Sequence, residues 1–230
     1  MAKVVLFDID GTLVLTGRAG ARAFLRAFEE LFAIPEPLDN FSMAGRTDPW
    51  VLATLASANG VPPDAPELSR FHDVYLKHLE TEIEKPGPSK GLMPGVRPLL
   101  DTLVERGDVH LALLTGNYER AARVKLEYFD LWRYFRGGAF GDAALDRNGL
   151  VPKALASVSA LGGPSIEPPD AIVVGDTPLD VACARTVGAR SVAVATGGYD
   201  VSSLGEAGAD IVLADLSDIA AVLRALRIEN

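Results

Sequence analysis

The chain has a single cysteine, Cys183, which excludes any disulfide within it. Cys183 lies in the apolar helical stretch Val181-Ala182-Cys183-Ala184 and is expected in the core. Histidine is also scarce. His72, His78 and His110 are the only three, and none is spaced as part of a metal-ligand set. No apolar run approaches the roughly 20 residues that cross a bilayer. The run from Val4 to Phe7 is too short for a signal peptide before Asp8 and Asp10 interrupt it. A cytoplasmic protein is therefore expected. The sequon Asn40-Phe41-Ser42 carries no weight without secretion. Basic residues are outnumbered, 22 Lys and Arg against 31 Asp and Glu, for a net charge of -9. They form no stripe, which argues against nucleic acid or an anionic membrane as partner. Phosphate-binding loops of the nucleotide-hydrolase type, dinucleotide fingerprints, internal repeats and low-complexity tracts are all absent.

What is present is a core-forming composition, 48% apolar and 23% charged over 230 residues. Residues 3–9 form a short run rich in Val and Leu, as expected of a strand buried on both faces. Similar runs recur at residues 109–115, 171–175, 191–195 and 210–213, each followed by a turn and then a helical pattern. This alternation predicts an α/β fold, a Rossmann-like parallel sheet covered by helices. Residues 16–90 break the rhythm with helical patterns alone. Phe24, Leu25, Phe28, Leu31 and Phe32 share one helical face, and so do Leu68, Phe71, Tyr75, Leu79 and Ile83. Between them a helix is predicted with Asp48 as N-cap and Pro49 at its first position. Trp50 and Trp132 lie in helical contexts and read as packing. The expected organisation is an α/β core, residues 1–15 and 91–230, with an inserted all-helical cap domain, residues 16–90. Ligands of parallel sheets bind beyond the carboxyl ends of the strands, where such an insert can form a lid.

Three strand ends carry chemistry. Asp8-Ile9-Asp10-Gly11-Thr12-Leu13 follows the first strand, and residues two apart face the same side. Two carboxylates this close repel unless a cation lies between them. A carboxylate can also act as a nucleophile. Thr115-Gly116-Asn117 ends the next core strand, with a hydroxyl and backbone amides suited to a phosphate oxygen. The third stretch, Gly175-Asp176-Thr177-Pro178-Leu179-Asp180, adds an acid able to complete a magnesium site. Asp180 is read either as a helix-dipole acid or as a support to that site. A parallel sheet would bring all three ends to one edge.

These motifs resemble those of the haloacid dehalogenase superfamily, in its phosphatase branch, over essentially the whole chain. Asp8-x-Asp10-Gly-Thr-Leu is similar to that family's first motif, Thr115-Gly-Asn to its second and Gly175-Asp176-Thr-Pro-Leu-Asp180 to its fourth. The helical insert resembles the cap that many members carry. The resemblance implies that Asp8 is a nucleophile forming an aspartyl-phosphate, Asp10 a general acid and base, and Thr115 a phosphate ligand. It implies magnesium, held by Asp8, Asp176 and Asp10 through its backbone carbonyl. The basic residue of the third motif falls at Arg147 or Lys153. Spacing from Gly162 favours Arg147, a fixed positive charge with forked donors. Gly116, Asn117, Arg46 and Thr47 are the candidate substrate-binding residues, the last two in a turn of the insert. The partner expected is a small phosphorylated metabolite. The same core motifs suit a phosphomutase, and a phospho-receiver module shares the acids but not the length or the insert.

Overall fold

The computed structural model describes residues 3–35 and 42–228. The Asn40-Phe41-Ser42 sequon begins outside that range. Strand β1 (Lys3–Phe7) sits at the centre of a six-stranded sheet. It pairs in parallel with β4 (Val109–Leu114) on one side and β6 (Ala171–Gly175) on the other. Beyond these lie β5 (Gly138–Ala139) next to β4, then β7 (Arg190–Val194) and β8 (Ile211–Leu213) next to β6, all parallel. The order β5-β4-β1-β6-β7-β8 is a doubly wound α/β sheet.

Both faces of β1 are buried, and its two-residue period divides the molecule into two cores. Val5 and Phe7 pack with α4 (Val96–Val104) and α9 (Ile219–Ala225) through Leu99, Leu103 and Leu223. Val4 and Leu6 pack with α6 (Leu150–Ala160) and α7 (Pro178–Thr186) through Leu150, Ala154 and Ala184. Cys183 belongs to this second core, as expected. Among the described residues no helix is long and apolar enough to cross a membrane.

Residues between β1 and α4 form three helices, α1 (Ala19–Phe32), α2 (Asp48–Ala58) and α3 (Pro66–Glu82). They share a core of their own around Phe24, Phe28, Leu55, Phe71, Tyr75 and Leu79. Tyr118, at the N-cap of α5 (Glu119–Tyr128), and Ala121 within that helix join this cluster. The chain leaves and re-enters the main sheet through β2 (Val14–Leu15) and β3 (Gly91–Leu92), which pair antiparallel. Neither of these two-residue strands nor β5 has an apolar run long enough to show in the sequence. One capping assignment is corrected. The N-cap of α2 is Thr47, whose hydroxyl accepts a hydrogen bond from the Trp50 amide at 3.2 Å. Asp48 is the first helical residue, and its carboxylate instead accepts from the Tyr118 amide at 2.9 Å.

Glu82, at the end of α3, ties this helical unit together. It is fully buried, yet its carboxylate meets Arg22 at 2.6 Å, Arg26 at 3.0 Å and Lys85 at 2.5 Å. Burial alone would raise its pKa. Hydrogen bonds from Arg22 and Lys85 outweigh burial and hold it at about 2. Its contribution is therefore present above the ordinary glutamate range and lost as pH falls towards 2. Arg26 and Lys85 are about half exposed, so solvent discounts the gain. Glu82→Gln is expected to cost about 1–2 kcal/mol in urea unfolding at about pH 7. That gap should shrink at about pH 4. A gap unchanged by pH contradicts the assignment.

Candidate active site

The register of the sheet assembles the acids. Phe7 pairs with Val174, so Asp8 leaves β1 beside the point where Asp176 leaves β6. The Asp8 amide donates to Val174 O at 2.9 Å, which carries the pairing one residue past the strand. Asp8, Asp176 and Asp180 are all buried, each offering an oxygen within 4.8 Å of the others. The three histidines take no part in this cluster.

One guanidinium faces the three carboxylates. Arg147 is buried and donates to Asp8 at 3.1 Å, to Asp180, and to Leu114 O at 3.0 Å. Burial works against its charge, but Asp180 and Asp8 more than offset this and hold its pKa above the ordinary arginine value. Lys153, the other basic candidate, is exposed and donates to the Ala143 carbonyl, with no carboxylate partner among the described residues. Burial pushes the Asp8 carboxyl up to about 6 against the pull of Arg147, with Asp180 and Asp10 adding to the rise. Asp176 is raised well above the usual carboxylate range by burial, then by Asp180 and Asp8.

The donor set fits a hard divalent cation: oxygen ligands only, more negative charge than Arg147 balances, and a tightly bounded space. Thr12 donates to Asp176 Oδ1 at 3.0 Å, so one edge of that carboxylate is already satisfied. A Cβ at Gly197 would fall 1.7 Å from Asp176 Oδ2, and one at Gly11 2.4 Å from the same oxygen. Both positions must lack a side chain for that oxygen to stand where it does. Asp180 is less free. Its Oδ2 accepts from the Thr177 amide at 3.1 Å and hydroxyl at 2.7 Å in the capping box of α7, while Oδ1 takes Arg147. It holds the guanidinium in place.

Asp10 faces elsewhere. Its Oδ2 accepts from Lys125 Nζ at 2.6 Å and from Asn117 Nδ2 at 2.8 Å, and its side chain is 41% exposed. The Asp10 carboxylate is thus not part of the buried acid cluster. Thr115 and Asn117 belong to this second group. Asn117 also donates to Thr115 Oγ1 at 2.8 Å, and its Oδ1 accepts from Lys125 at 2.7 Å, so the whole Asn117 amide is engaged by protein.

Asp8, Asp176 and Arg147 of the first group and Asp10, Thr115, Asn117 and Lys125 of the second line one cavity of about 360 Å³, shared with Gly116, Arg18, Arg46, Phe24, Met43 and Tyr75, while Asp180 does not line it. The turn before α2 is fastened across it. Asp48 N donates to Gly116 O at 2.8 Å, Arg147 donates to Gly45 O at 3.3 Å, and Thr47 donates to Leu145 O at 2.7 Å. Gly116 has no Cβ because the Arg46 carbonyl would lie 2.1 Å from it. Arg46 itself is exposed and stacks over Trp50 at 4.3 Å, with no bond to Asp48. Thr47, whose hydroxyl caps α2 and reaches Leu145, does not line the cavity. Arg18 lines it with a left-handed backbone, φ 66°, and has no carboxylate partner among the described residues. Burial also raises the Asp48 carboxyl to about 7, with Lys125 pulling the other way.

Lys125 and Arg18 are the site residues that sequence reasoning missed. A signal for Lys125 exists. The buried residues of α5 are Ala121, Ala122, Lys125 and Leu126, so a lysine occupies the apolar stripe of an otherwise exposed helix.

Residues 5–194 match the family model described as haloacid dehalogenase-like hydrolase. The chain is 31% identical to phosphoglycolate phosphatase 1 of Pseudomonas aeruginosa, covering 95% of this chain and 79% of that one. It is also 31% identical to phosphoglycolate phosphatase of Rhodospirillum rubrum, covering 95% and 90%. Among solved structures it is similar to CbbY from Rhodobacter sphaeroides in complex with phosphate. The TM-score there is 0.71 at 20% identity, over 95% of this chain and 96% of that one, a likeness of fold.

Arg147→Ala removes the one cation that, among the described residues, pairs with the buried acid cluster, and is expected to cost about 3–5 kcal/mol of stability. Added magnesium should restore part of it by binding the folded state. Lys153→Ala should stay within about 0.5 kcal/mol of the parent. Urea unfolding of both variants, with and without magnesium, checks this, and equal costs would contradict it.

Proposed function

We propose that this chain, which belongs to the haloacid dehalogenase-like hydrolases and is a phosphatase of that family, hydrolyses a small phosphate monoester through a phosphorylated Asp8, with magnesium as cofactor. The observation that carries this reading is the unlike setting of two carboxylates two residues apart. Asp8 is buried against Arg147 and Asp176, while Asp10 is partly exposed and held by Lys125 and Asn117. Carboxylates in unlike settings take unlike roles, here nucleophile and proton carrier.

In the proposed reaction an Asp8 oxygen attacks phosphorus, the bond from phosphorus to the leaving oxygen breaks, and Asp10 gives that oxygen a proton. Water then attacks phosphorus and passes a proton to Asp10. The bond to Asp8 breaks, releasing inorganic phosphate and restoring both acids. The Thr115 hydroxyl, the Gly116 backbone and the Arg147 guanidinium are the proposed grip on the phosphoryl oxygens. Magnesium, held by Asp8, Asp176 and the Asp10 carbonyl, supplies neutralising charge at the phosphoryl group when bound.

Residues 16–90 act as the cap in this reading, and the turn carrying Arg46 reads the rest of the substrate. Arg18 and Arg46 add two cations on the side of the cavity contributed by that segment. They suit a second anionic group, such as the carboxylate of phosphoglycolate, the compound for which the two relatives are named. A panel of phosphometabolites assayed with and without magnesium tests the proposal. Asp8→Asn is expected to lower kcat at least about a thousandfold, roughly 4 kcal/mol, without loss of fold. Activity within about tenfold of the parent, or activity undiminished by exhaustive chelation, contradicts it.

A further inference from the structure

Lys125 is buried, and a buried ammonium persists only where acceptors meet it. It has two, Asp10 Oδ2 at 2.6 Å and Asn117 Oδ1 at 2.7 Å. Asn117 donates in turn to the same Asp10 oxygen at 2.8 Å and to Thr115 Oγ1 at 2.8 Å. Two donors therefore converge on a single oxygen of Asp10. The other, Oδ1, has no hydrogen-bond partner among the described residues, and Asp10 lines the cavity.

We propose that Lys125, reaching in from α5, is a positioning residue that fixes the Asp10 carboxylate so that its free oxygen serves the leaving group of an unactivated alkyl phosphate. The assignment rests on the phosphatase reading above and goes beyond it by making Asp10 dependent on a residue outside the motifs. A lone aspartate on a turn rotates freely about its side-chain bonds. Clamping one oxygen with an ammonium and an amide fixes the direction of the other, and proton transfer depends steeply on that direction.

Position 20 leaves room for the clamp. Gly20 lies in the first turn of α1, and a Cβ there would sit 3.1 Å from Lys125 Nζ and 3.2 Å from its Cε. With no side chain at position 20, the end of Lys125 lies against α1 uncrowded. Glycine is a poor helix former, so its presence in α1 opposes local propensity.

The experiment compares kcat/KM for an alkyl and an aryl phosphate, since an aryl leaving group departs without a proton. Lys125→Met should lower the alkyl value at least about a hundredfold and the aryl value less than about tenfold. Lys125→Arg should regain at least about tenfold of the alkyl loss. Equal losses on both esters, or no loss, overturns the proposal. Gly20→Ala serves if Lys125→Met fails to fold. It crowds the ammonium while improving helix propensity, so its melting temperature should hold or rise while the alkyl-to-aryl ratio falls about threefold or more. An unchanged ratio overturns the proposal. If the parent protein turns over neither ester with magnesium, the phosphatase reading falls first and the Lys125 assignment falls with it.

Discussion

Three carboxylates share a buried corner at the carboxyl edge of the sheet, and a single guanidinium faces them. Burial raises the pKa of Asp8 and Asp176, and the neighbouring acids add to the rise. The arrangement persists because each acid is bound to something else. Asp180 is locked by Thr177 and Arg147, Asp176 by Thr12, and Asp8 by Arg147 and the β1–β6 ladder. The remaining negative charge is what a divalent cation would neutralise. The buried strands, the glycines beside Asp176 and the burial of Arg147 all follow from holding these groups together.

The second group of polar residues lies a short way along the same edge and is built on opposite principles. Asp10 is partly open to solvent and is gripped by donors from the turn after β4 and from α5 rather than by the acid cluster. The turn before α2 joins the two groups, since it bonds to Gly116 on one side and Arg147 on the other. One cavity therefore presents a buried carboxylate, Asp8, and an accessible one, Asp10, two residues apart. Residues of the helical segment complete its walls.

The parts of this site that sequence alone made legible are those whose signal is local. Asp8, Thr115 and Asp176 each end a buried apolar run, and parallel pairing carries the runs to one edge. The six-stranded sheet was readable for the same reason except at β5, which, like the strands of the separate β2–β3 pair, is too short for a two-residue period to register. Arg147 was preferred over Lys153 on spacing, and the two lie in unlike places: one buried among acids, the other exposed. What escaped depended on contacts far apart in the chain. Lys125 meets Asp10 across 115 positions, and nothing in its neighbours' charge pattern announces it. Thr47 and Asp48 exchanged roles because both are good caps, and only the packing of α2 against Tyr118 and Gly116 decides between them.

The central claim is that the phosphoryl group passes through Asp8. Rapid acid quenching during turnover with magnesium, followed by peptide mass spectrometry, tests this most directly. The account predicts one phosphoryl group on the peptide that contains Asp8, localised to that residue and absent after chelation. Turnover with no phosphorylated peptide, or with the phosphoryl group on a different residue, would contradict it.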